Sequence, residues 1–198
     1  VRWVFTPIGV VLWIMLAFMG AVSAFGEVGK LFSNTSSLLS LSNLPYLYIG
    51  FAMSKLCHEF GHAFACKKLG IDNGGGGQVH KMGIMFLVFT PLPFVDCSSS
   101  WAFKNKWHKM IVGASGMLVD LMIASIFVVI WTQTSEGSVL HILAQNIVIT
   151  TSVSTLLFNG NPLMRYDAYF ILSDFIEISN FATRSNTYFL YLCRRYGL

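Results

Sequence analysis

Four apolar stretches, residues 4–26, 44–69, 110–131 and 141–158, are each long enough to cross a bilayer as a helix, and that constrains the fold more than any other feature. Lipid offers no water to backbone N–H and C=O groups, so a spanning segment must close its hydrogen bonds within a helix or a barrel. Only 11% of the residues are charged and 55% are hydrophobic, where soluble domains carry about 25% charge. The pattern predicts an all-α polytopic membrane protein with about four transmembrane helices. The formal net charge of +4 comes from short basic clusters beside apolar runs, so nucleic acid is not an expected partner; the lipid bilayer is.

The segments between the spans differ from one another. Residues 33–43, rich in Ser and Asn, read as an exposed connector. Gly74 to Gly77 read as a flexible loop; no Lys-Ser/Thr pair follows to make it a phosphate site. Residues 78–96 are rich in Val, Phe and Thr and broken by Pro91 and Pro93, which favours a short strand-like or re-entrant insertion. Backbone of that kind survives at membrane depth only when buried in protein or lining a wet cavity. Residues 159–174 read as a broken continuation of the fourth span, and 175–198 as an amphipathic, interfacial tail. One membrane-embedded domain is expected over 1–198, with its core at 44–174 and an accessory first span and connector at 1–43. The first 26 residues are too long and too apolar for a signal peptide. Arg2, Lys67, Lys68, Lys104, Lys106, Lys109, Arg184, Arg194 and Arg195 fall on one side if four spans are crossed, which predicts cytoplasmic termini.

Inside the second span stand His58-Glu59-Phe60-Gly61-His62. Histidines four apart share one helix face and can reach a single zinc ion, with the glutamate between them placed to act as a base. An acid at mid-bilayer costs about 2.5–3.5 kcal/mol on insertion scales, so such residues need a compensating function. A catalytic zinc takes three protein ligands, and the candidates for the third are His80, Asp96, His108, Asp120, His141 and Asp167. His141 begins the fourth span on the far side, whereas Asp167 follows that span after it has returned to the depth of the histidines. His80 and His108 sit beside lysines and read as interfacial, and Asp120 as a buried structural contact. Gly113 and Gly116 read as points of close helix packing. Cys57, Cys66, Cys97 and Cys193 lack any paired metal-binding spacing.

His58-Glu59-Phe60-Gly61-His62, followed far downstream by Asn159, Pro162 and Asp167, resembles the site-2 protease family of intramembrane zinc metalloproteases. The resemblance implies that His58, His62 and Asp167 hold Zn2+, that Glu59 is the catalytic base, and that Asn159 binds substrate near its oxyanion. It implies an intramembrane endopeptidase acting on transmembrane segments or remnant signal peptides of membrane proteins. It also implies that the strand-like insertion pairs with the unwound substrate as an added strand. The chain departs from the family at two places: Ala168 stands where Gly usually follows the ligand Asp, and Asp120 occupies the spacing of an Asn. Two rival readings are a catalytically altered zinc-binding protein serving peptide export or maturation, and a transporter subunit using the buried charges for ion passage.

Overall fold

The computed structural model describes residues 2–33, 38–87, 90–178 and 180–196; residues 34–37 of the expected connector and 88–89 of the expected strand segment lie outside the described residues. The chain is mostly helical. In order come α1 (Pro7–Ala24), α2 (Val28–Ser33), α3 (Leu44–Asp72), the strands β1 (Met82–Leu87) and β2 (Thr90–Val95), then α4 (Lys106–Gln133), α5 (Val139–Val153), α6 (Asp167–Phe175) and α7 (Phe181–Tyr196). The starts of α1, α4 and α5 carry the side-chain caps that their sequences dictate. Thr6 accepts from the Gly9 N–H ahead of Pro7, Asn105 from Trp107, and Ser138 from His141.

Among the described residues, three helical segments are long and apolar enough to cross a membrane: α1, α4, and α5 with its continuation through Asn159. The second expected span, α3, is the longest helix at 29 residues. Lys55, His58, Glu59, His62, Lys67 and Lys68 keep it less apolar than the other three. Its polar face is turned inward, where Ser54 and His58 are buried.

Small residues set how closely the helices approach. A Cβ on Gly61 would lie 2.9 Å from the Ser115 carbonyl, and one on Gly50 would lie 3.1 Å from Ile147, so α3 is drawn against both α4 and α5. Asn43 and Asn146 exchange reciprocal amide hydrogen bonds of 3.0 and 2.8 Å, tying the start of α3 to α5. From α1, Trp13 donates its indole N–H to the Leu118 carbonyl of α4 at 3.1 Å. At the end of α3 the glycine loop folds back on the helix. Gly77 has a positive φ of 82° and sits against the Cys66 carbonyl and Gly70, a place no side chain could take.

The insertion is a two-stranded antiparallel hairpin in which Met82 pairs with Val95 and Ile84 with Pro93. Asp96 N–H donates to the Lys81 carbonyl at 2.8 Å, so even-numbered residues near the end of β2 point their backbone groups at β1. Odd-numbered ones therefore point away. The outer edge of β2 carries Pro91 and Pro93, which have no N–H, and Val95, whose N–H is taken by Glu59. That edge offers carbonyls alone. The outer edge of β1, through the exposed Met82, Ile84 and Phe86, keeps both donors and acceptors.

After α5 the helix widens into a π-helical turn, Ser154–Asn159, and then breaks at Gly160 and Pro162. The chain doubles back and restarts as α6 at Asp167, packed on α4 where Ile171 meets Gly113. Glu177, with φ 56°, ends α6 and pairs with Lys106 at 2.6 Å. Lys106 lies at the start of α4, so this pair joins the two helices at the surface.

Candidate metal centre

His58 and His62 lie one turn apart on α3, and their rings meet edge to face with centroids 4.8 Å apart. Their Nε2 atoms are 3.1 Å from each other. Asp167, the first residue of α6, brings Oδ2 to 3.1 Å from His58 Nε2 and Oδ1 to 3.4 Å from His62 Nε2. Break, turn and helix restart after α5 are what return the chain to this point. The three residues form a group that could hold a metal ion.

The other ring nitrogens decide what the group wants. His58 Nδ1 faces the Asp120 carboxylate at 2.8 Å, and His62 Nδ1 faces the Val112 carbonyl at 2.8 Å. Both partners accept, so each Nδ1 carries a proton, and in the neutral imidazole each Nε2 then presents its lone pair. Two lone pairs and a carboxylate thus converge on one point. Among the described residues, Asp167 Oδ2 is buried there with no donor beyond these imidazoles to bond it. A single proton could bridge two of these atoms; a metal ion satisfies all three. Separations of 3.1–3.4 Å suit ligands held about 2.0–2.2 Å from one zinc.

Gly116 is the seat on which both imidazoles rest. A Cβ there would lie 2.5 Å from His58 Cε1 and closer still to His62 Nε2. Ala168, by contrast, lies in the first turn of α6 with helical backbone, which Ala adopts without strain.

Glu59 faces the other way along the same turn, toward the hairpin. Its Oε2 accepts the Val95 N–H at 2.9 Å. A cleft of about 430 Å³ opens beside it, bounded by Glu59, His62, Asp167, Phe94, Trp101 and Phe170, which gives the centre an approach route. Asn159 is 5% exposed and sits with Nδ2 3.5 Å from His58 Nδ1, on the Asp120 side of the ring. That ring proton is already committed to Asp120.

No family model, curated protein or solved structure matches this chain.

The remaining candidate ligands lie apart from this group. His141 stacks near Trp131 at the opposite end of α4, His80 is exposed, and His108 is bonded to Asn73. Asp96 bonds to the Ser98 N–H at the rim of the cleft. Sequence reasoning missed the Val112 carbonyl and Thr155 altogether, and it weighed Asp120 as a metal ligand and then as a structural contact, not as the partner of His58 Nδ1. A signal was present on α4, where Val112, Gly116 and Asp120 recur every four residues and so share one face.

Proposed function

We propose that this chain is a zinc-dependent intramembrane endopeptidase of the site-2 protease type, acting on transmembrane segments or remnant signal peptides. The observation that carries the reading is the convergence of two lone-pair Nε2 atoms and a buried carboxylate beside a glutamate that opens on a cleft. Zinc bound by His58, His62 and Asp167 would supply the Lewis acidity that polarises a carbonyl and lowers the pKa of water toward about 7.

In this reading Glu59 takes a proton from the attacking water and returns it to the leaving amine. Among the described residues its Oε1 has no hydrogen-bond partner, which leaves it available for that transfer, while Oε2 accepts from β2. Phe94, Trp101 and Phe170 give the cleft aromatic walls suited to apolar side chains of a membrane segment. Asn159 is buried at the Nδ1 side of His58, so its expected contact with substrate requires the amide to turn past that ring. The added-strand expectation falls on the outer edge of β1, which keeps the donors that β2 lacks. In the same proposal α3 crosses the membrane as a fourth span, which returns both termini to the cytoplasmic face. Its 29 residues reach about 43 Å, beyond the ~30 Å hydrocarbon core.

The test is cleavage of a helical transmembrane peptide by purified protein in detergent, with and without added zinc, beside Glu59→Gln. Zinc-dependent cleavage that the substitution abolishes supports the reading; equal cleavage by both proteins overturns the assignment of the base.

A further inference from the structure

Asp120 is fully buried at the middle of α4, and the peptidase reading gives it no step. A carboxylate withdrawn from water costs several kcal/mol of hydration unless donors or a counter-charge replace it. Its Oδ2 accepts from His58 Nδ1 at 2.8 Å and from the Thr155 hydroxyl at 2.6 Å, and its Oδ1 has the Ser54 hydroxyl at 3.5 Å. Among the described residues no lysine or arginine pairs with it. The donors come from two other helices, with Ser54 and His58 on α3 and Thr155 on the π-helical turn after α5. π-Helical turns are frequent at functional sites. Here the turn presents Thr155 to the same oxygen that holds the imidazole.

We propose that Asp120 is a positioning residue of the metal centre: with Thr155 it fixes the tautomer and ring plane of His58 and supplies the negative charge that balances a divalent ion beyond it. The inference rests on the metal-binding part of the proposed function and not on peptidase activity. A carboxylate behind a ligating histidine orients the ring and raises its basicity, and loss of such a partner costs roughly 10–100-fold in metal affinity. Acting through His58, Asp120 need touch neither the ion nor a substrate.

The experiment is cobalt(II) binding to the full chain in detergent, followed by chelator competition and by the visible absorption of the bound ion. Asp120→Asn keeps the shape and an acceptor but removes the charge; Thr155→Val keeps the charge and removes one donor. The expected result is a Kd raised roughly 10–100-fold for Asp120→Asn, a smaller rise for Thr155→Val, and an altered cobalt spectrum in both. A purely structural role would lower the melting temperature of the metal-free protein and leave Kd and spectrum unchanged; that outcome overturns the proposal. If Asp120→Asn does not fold, Thr155→Val decides alone, and parental affinity with a parental spectrum overturns it. Failure of the parent to bind cobalt removes the metal centre itself and this inference with it, a result distinct from a parent that binds and variants that bind equally well.

Discussion

Gly116→Ala adds one methyl group where the centre has no room for it. The new Cβ would stand 2.5 Å from His58 Cε1 and Nε2, and closer to His62 Nε2. Ordinary carbon contacts lie at about 3.5–4.0 Å, so the rings would have to retreat by about 1 Å. Neither is free to do so, since each Nδ1 is bonded at 2.8 Å on its far side. Overpacking of this kind costs about 1–3 kcal/mol, and Ala recovers about 1 kcal/mol over Gly in a helix, leaving a net loss of about 0–2 kcal/mol. The larger effect falls on the metal. If about 1–3 kcal/mol is relieved only when the rings leave their ligating positions, metal Kd rises roughly 5- to 150-fold. Chelator competition measures that, and unfolding in detergent measures the stability. Gly113→Ala is the control: its Cβ presses only on the Ile171 side chain, at 3.0 Å, which can yield by tenths of an ångström, and stands an ordinary 4.0 Å from the Asp167 carbonyl, so metal affinity should not change. A Gly116→Ala protein that binds zinc as tightly as the parent would refute the reasoning, because the rings would then not rest on that glycine.

Three other substitutions probe different links. Glu59→Gln should retain metal and lose cleavage by about 10²–10⁴-fold, read in single-turnover assays with a transmembrane peptide. Asn146→Val should destabilise the fold by about 1–3 kcal/mol in denaturant titrations, since Asn43 Oδ1 loses its donor while Nδ2 keeps only the Leu38 carbonyl, and the double substitution with Asn43→Val should cost less than the sum. The Lys106 ammonium holds Glu177 below its ordinary carboxyl value of 4.5. The pair therefore contributes stability above about pH 4.5 that is lost as pH falls through the depressed folded value. Melting curves of the parent and Glu177→Gln should differ at neutral pH and converge in acid; a constant gap would contradict this pairing.

What could be read from the chain and what could not divide along physical lines. Helical spacing makes His58 and His62 neighbours whatever surrounds them, because i and i+4 share a face. Asp167 was accessible through an expected depth, that of a chain returning to the histidines if residues 141–158 cross the membrane, and the turn after α5 does bring it to them. Pro91 and Pro93 rule out a helix over the insertion, and a hairpin formed there. The partners of Nδ1 were out of reach because they depend on how α4 is rotated against α3, and on a π turn that shifts Thr155 by a fraction of a helical step. Gly116 carried the expectation of close helix packing, yet what it admits is a pair of imidazoles. Asp120 looked like a structural contact because a single acid in an apolar helix does not declare its partner.

Zinc content of the purified protein tests the central claim most directly. Measured by elemental analysis after reconstitution and removal of loose metal, the account predicts one zinc per chain in the parent and almost none in His58→Ala and Asp167→Ala. A folded parent that takes up no zinc, or variants that hold as much as the parent, would contradict it.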